Sequence, residues 1–113
     1  MLYENLDVWK RSRLLTIGVY KALGSCRDFG FKDQITRSAL SVPSNIAEGC
    51  ERLSSKERRR FLDIAKGSLG EFKTQADIGI AVGLVPEAIG RQWLAESDQL
   101  AKMLKGLIRS IKD

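Results

Sequence analysis

Apolar residues recur at steps of three and four along four stretches of this chain, the period at which side chains return to one side of an α-helix. Helices are expected over residues 4–24, 32–52, 55–82 and 86–111. The last is the cleanest: Ile89, Trp93, Leu100, Leu104, Leu107 and Ile111 keep a near-heptad spacing, interrupted by the small Ser97. The third carries Leu62, Ala65, Leu69, Phe72, Ala76 and Ile80, and the second Ile35, Ala39, Val42, Ile46 and Leu53. No segment alternates apolar and polar residues over strand length, so the pattern is all-α. Local signals mark the breaks. Gly24-Ser25 ends the first helix, "DFGF" reads as a turn with Gly30 at positive φ, and Ser54 or Ser55 caps the third helix. Gly83 ends that helix and Pro86 suits the first turn of the next. Short connections between long helices favour an antiparallel up-down four-helix bundle, one domain over residues 1–113.

The first helix departs from the single-stripe rule. Leu6, Trp9, Ile17, Tyr20 and Leu23 form one row with Arg13 in its midst, while Val8, Leu15, Val19 and Ala22 form another. A bundle helix needs to bury one side, so the second row, Val8, Leu15, Val19 and Ala22, is read as an oligomer interface. The alternative is a wide core face.

The stretch "SVPSNIAEG", Ser41 to Gly49, contains a proline yet keeps the helical phase, because Val42 and Ile46 continue the row from Ile35 and Ala39. It is therefore read as helix, kinked near Pro43 where the ring crowds the preceding turn. A polar row, Arg37, Ser41, Asn45, Glu48 and Arg52, runs beside the apolar one, and the third helix repeats it with Ser68, Glu71 and Gln75. If the rows face each other, Glu48 and Glu71 meet Arg37 or Arg52 and Asn45 bridges them, a structural polar layer within or between subunits. The small residues Ala47, Gly49, Gly67, Ser68 and Gly70 are expected where backbones approach closely. The two glutamates could instead be an acid/base pair, but neighbouring arginines would keep both ionised and poor as proton donors.

Composition narrows the chemistry. The 113 residues include no histidine, which removes the commonest neutral-pH base and the Ser-His and Cys-His nucleophile pairs. Cys26 and Cys50 lack a CxxC spacing and alone cannot hold zinc, so neither a metal nor a disulfide is expected. A phosphate-binding loop would need glycines followed by Lys and Ser/Thr after a strand, which are missing, and no cofactor is implied. Glu4 and Asp7 sit where a signal peptide needs a basic start, and no apolar run reaches membrane-spanning length. The expectation is a cytoplasmic protein that is not an enzyme.

The run "RSALSVPSNIAEGCERLSSKERRRFLDIAKGSLGEFKTQ", with "LDVWK" near the start, resembles the bacterial proteins encoded by intervening sequences in 23S ribosomal RNA genes, the S23 family. The shared pattern falls on Arg37, Ser41, Asn45 to Gly49, Arg52, Phe61-Leu62, Ala65, Gly67-Ser68 and Glu71. The resemblance implies an antiparallel four-helix bundle assembled as a homopentamer. It also implies a distant likeness to the accessory protein of diversity-generating retroelements, a basic pentamer that binds nucleic acid and a reverse transcriptase. Asp33 and Thr36 depart from the family pattern, where an acidic residue and a second arginine are common, which weakens the case for nucleic acid slightly.

The net charge of +5 favours an acidic partner. Lys56, Arg59, Lys66 and Lys73 share a face of the third helix, with Asp63 interrupting them, and Lys102, Lys105, Arg109 and Lys112 lie opposite the core of the fourth. Without interleaved aromatics such strips suit phosphate contacts, giving weak sequence preference and strong salt dependence. Two functions follow from the sequence: a non-catalytic oligomer that binds RNA or DNA, or an assembly and adaptor protein whose partner is another protein.

Overall fold

The computed structural model describes residues 2–112. A 3-10 turn at Tyr3–Asn5 precedes four helices, α1 (Asp7–Ala22), α2 (Phe29–Cys50), α3 (Ser55–Ala81) and α4 (Glu87–Ser110). Each helix packs on the next, most extensively α2 on α3, and α4 closes against α1, which makes an all-α four-helix bundle. Partners run in opposite sequence order: Ser38 meets Gln75 while Ser41 meets Ser68. Likewise Arg59 reaches Ile111 while Lys73 reaches Asp98. Both helix pairs are therefore antiparallel.

Two helix starts differ from the sequence reading, and Gly83 ends the third helix as read. Leu6 is extended (φ −82°, ψ 126°), so it separates the Tyr3–Asn5 turn from α1 instead of joining one helix from residue 4. α2 begins at Phe29 and takes in Gly30, because the Asp28 carboxylate accepts from the Phe31 N–H at 3.1 Å and caps the helix before the expected turn. Gly83 is the one positive-φ residue among those described, at +80°. Its N–H donates to the Ile80 carbonyl and that of Leu84 to Gly79, the paired bonds that close a helix on a left-handed glycine.

Pro43 lies inside α2 without ending it. The carbonyl that an N–H at position 43 would satisfy is that of Ala39. Thr16 of α1 supplies the missing donor: its buried hydroxyl lies 3.0 Å from the Ala39 oxygen and 2.8 Å from its own helix's Ser12 carbonyl.

The core corrects the reading of the first helix. Val8, Leu15 and Val19 are buried in the subunit's own interior with Leu23, whereas Ala22 is exposed. The row assigned to an oligomer interface is thus the core row, since it packs toward the rows from Ile35 to Ile46, Leu62 to Ala76 and Trp93 to Leu104. Left outside are Leu14, Tyr20 and, across on α2, Leu40, at 62%, 46% and 47% exposure. Leu53, expected in the core, is 96% exposed because α2 stops at Cys50 and the chain turns away.

Close approach explains Gly49 but not its companions. A Cβ at Gly49 would lie 3.2 Å from the Phe61 Cβ, whereas at Gly67 and Gly70 it would meet nothing within 4 Å. The backbone approach expected at those two α3 glycines does not occur within the subunit.

Candidate nucleic-acid interface

The antiparallel register of α3 and α4 sets the geometry of the basic residues. The Ser55 hydroxyl donates to the Lys112 carbonyl at 2.7 Å, Arg59 Nη1 to the Ile111 carbonyl at 3.2 Å, and Lys73 Nζ to Asp98 Oδ1 at 2.5 Å. Between these pairs the register brings Lys66 level with Lys105. At 100° per residue, Lys102, Lys105 and Arg109 fall within about 40° of Asp98 around α4. Arg59 and Lys66 lie within about 40° of Lys73 around α3, and Lys56 flanks them. Arg59, Lys66 and Lys73 on α3 and Lys102, Lys105 and Arg109 on α4 therefore line the two banks of one seam, while Lys56 lies to its outer side with Asp63 and Lys112 lies past the end of α4.

Along this seam Lys56, Lys66, Lys102, Lys105, Arg109 and Lys112 are exposed. Among the described residues none of the six takes part in an ion pair; the pairs formed are Arg11–Glu96, Arg37–Asp33, Arg52–Glu48, Arg60–Glu57 and Lys73–Asp98. Lys73 is neutralised by Asp98 and stands next to Asp77 in a shallow hollow, so the seam's positive charge ends there. Arg59 serves to hold the end of the chain to α3 through the Ile111 carbonyl. Asp98 belongs to this surface and was not singled out in the sequence, although it lies four residues before Lys102 in the same row.

The polar layer between α2 and α3 is smaller than expected and uncharged. Ser41 and Ser68 share a 2.8 Å hydrogen bond, and Asn45 donates to the Ser41 carbonyl at 2.8 Å and its hydroxyl at 2.9 Å. Gln75 accepts at 2.6 Å from Ser38, a buried residue the sequence reading missed. Its signal was its place three after Ile35 and four before Val42, at the edge of the apolar row. The charged members stand elsewhere. Arg37 pairs with Asp33 one turn back on an exposed surface, and Arg52, just past the end of α2, pairs with Glu48 in its last turn while its guanidinium lies over the Phe61 ring. Glu71 is exposed, and among the described residues it has no ion-pair partner.

Glu48 and Glu71 do not come together as an acid/base pair. The register that sets Gly49 against Leu62 puts Glu48 and Glu71 roughly 14 Å apart along the bundle, at 1.5 Å per residue. A hollow of about 200 Å³ under the end of α4 is lined by Gly49, Cys50, Arg58, Leu62, Leu107 and Ile111 with their neighbours. Burial pushes the Cys50 thiol up, away from the reactive thiolate. Arg58 turns its Nε to the Arg52 carbonyl at 2.8 Å. Among the described residues no three His, Cys, Asp or Glu side chains could hold a metal ion. No helix is long and apolar enough to cross a membrane. Between α1 and α4, Arg11 grips Glu96 with both Nε and Nη2, and that hydrogen bonding raises the arginine's pKa further.

No curated protein matches this chain. Among solved structures, a protein of unknown function from the S23 ribosomal protein family of Bacteroides thetaiotaomicron VPI-5482 is similar with a TM-score of 0.84. The match covers 91% of this chain and 99% of that one at 22% identity, a level at which the likeness speaks for the bundle alone. Residues 4–106 match the model of a family described as 23S rRNA-intervening sequence protein. That span takes in nearly the whole bundle and the motif run from Arg37 to Glu71, and the chain belongs to the 23S rRNA-intervening sequence protein family.

Proposed function

We propose that this protein is a non-catalytic oligomer that binds nucleic acid through phosphate contacts, with little preference for sequence. The observation that carries the reading is the α3/α4 seam, where Lys66 faces Lys102, Lys105 and Arg109, all exposed and without an ion-pair partner among the described residues, with Lys56 and Lys112 close by. Such a surface offers charge to phosphates and, apart from the Arg109 guanidinium, no planar group to bases. The family resemblance implies a homopentamer, and the outward Leu14, Tyr20 and Leu40 support self-association. Repeating the seam around an assembly would multiply its contacts when the geometry lets several seams engage one strand.

The test is reversal of two facing cations, Lys66→Glu with Lys105→Glu. Arg59 is left alone because it holds the chain end to α3. Removing about two phosphate contacts should lower the slope of log affinity against log salt by about 2. Sedimentation should show the assembly unchanged. Wild-type affinity and slope in the variant would exclude the seam as the site. The same outward apolar residues on α1 and α2 favour a second reading, an adaptor for another protein. Absence of nucleic-acid binding by the wild type even at low salt would turn the search there.

A further inference from the structure

We infer that the seam takes duplex nucleic acid, gripping two phosphate rows at once, rather than a single strand. The inference rests on the nucleic-acid reading above and narrows it.

The first ground is what the seam lacks. Proteins that hold single strands without sequence preference stack successive bases on aromatic side chains. Of the three aromatics on α3 and α4, Phe72 and Trp93 are buried in the core with ring centroids 5.9 Å apart. Phe61 lies toward α2 and is covered by the Arg52 and Arg60 guanidiniums. A single strand on this surface would find only the Arg109 guanidinium to stack on and would otherwise gain only charge.

The second ground is the arrangement of the charge. Lys66 stands on one bank between Arg59 and Lys73, and Lys102, Lys105 and Arg109 on the other, with Lys56 to the outer side of the first and Lys112 past the end of α4. The row from Arg59 to Lys73 extends over about 21 Å of α3 and that from Lys102 to Arg109 over about 10 Å of α4, and packed helices run roughly 8–10 Å apart. One flexible backbone can follow one bank. Two parallel banks call for two phosphate rows a groove's width apart, and the grooves of B-form DNA are about 6 and 12 Å wide. A duplex also carries a charge for every ~1.7 Å of its axis, against ~3.4 Å for one strand, so it offers more phosphates to a patch of this size. The wide, shallow minor groove of an RNA duplex presents the same double row. The shared chemistry is therefore the paired backbone.

The experiment compares the purified full chain against a DNA duplex of about 20 base pairs, an RNA duplex of the same length, and oligo(dT) of the same length. Each is titrated across a salt series, with wild type and with Lys66→Glu/Lys105→Glu. The expected result is at least tenfold tighter binding of one or both duplexes than of oligo(dT). The duplex slope should be no steeper than about −5 per seam, from six contacts, and shallower by about 2 in the variant. Whichever duplex binds more tightly names the source. Equal or tighter binding of oligo(dT) with a steep salt slope would overturn the duplex inference and leave the phosphate-reading function standing. Failure of all three to bind would overturn both. A variant that folds, by its melting curve, and binds duplex with unchanged slope would place the duplex elsewhere on the molecule. Lys66→Gln/Lys105→Gln repeats the comparison without introducing acidic charge.

Discussion

Removing the Thr16 hydroxyl should destabilise the protein only while residue 43 is proline. Proline leaves the Ala39 carbonyl without its usual helical donor, and the Thr16 hydroxyl at 3.0 Å fills the vacancy from the neighbouring helix. Thr16→Val keeps the shape of the side chain and deletes the donor. The Ser12 carbonyl, also bonded by that hydroxyl, keeps the backbone N–H of residue 16 inside α1. The Ala39 carbonyl, in a residue only 2% exposed, is the group left alone. A buried acceptor without a partner costs about 1–3 kcal/mol. In the Pro43→Ala background the alanine N–H can bond the same carbonyl, and the cost of Thr16→Val should shrink by most of that amount. The assay is a double-mutant cycle by urea denaturation, followed through the fluorescence of Trp93, which packs in the core against Phe72. A coupling of about 1–2 kcal/mol is expected, well beyond the ~0.5 kcal/mol scatter of independent sites. Equal losses from Thr16→Val in both backgrounds would refute the substitution of one donor for the other.

Three further substitutions test the packing. Ser97 is 1% exposed and its hydroxyl has no hydrogen-bond partner among the described residues, so Ser97→Ala should stabilise the fold by about 1 kcal/mol; a lower melting temperature would reveal a partner. Val19 is fully buried, so Val19→Asp should abolish helical circular dichroism instead of releasing folded monomers, and native helicity in that variant would place Val19 outside the core. Glu48 and Arg52 are both about half exposed at the end of α2, so Glu48→Ala should cost less than about 1 kcal/mol in chemical denaturation; a loss near 3 would mean the pair is buried in the assembly.

The fold was legible because periodicity reports burial, and burial is decided mostly by side chains the whole helix agrees on. The rows from Ile35 to Ile46, from Leu62 to Ala76 and from Trp93 to Leu104 all turn inward as the spacing requires. The first helix misled because two apolar rows compete on it, and its own sequence does not say which neighbour will cover which. The presence of Thr16 and Ser12 among the buried residues settles the inward side, yet small hydroxyl residues carry little hydropathy signal in either direction. The start of α2 was missed for a different reason. Gly30 signals a turn by its own freedom, but the Asp28 cap two residues earlier had already begun the helix.

The surface chemistry was legible by composition and illegible by partnership. Lysines and arginines at helical spacing could be assigned to strips from the sequence, but an ion pair depends on what stands across the gap. Lys73 looked equivalent to Lys66 until the register of α3 and α4 set Asp98 against one and Lys105 against the other. The same register turned two ordinary solvated faces into one concentration of like charge, where the carboxylates that could relieve it lie at the far end or on the flank. Lysines brought together in this way repel one another, so the seam is held by the apolar contacts beneath it, such as Phe72 on Trp93, and not by the residues that line it. An anionic partner that relieves the repulsion would therefore stabilise the bundle as it binds, and as salt is withdrawn both its affinity and the gap between the melting temperatures of bound and free protein should increase.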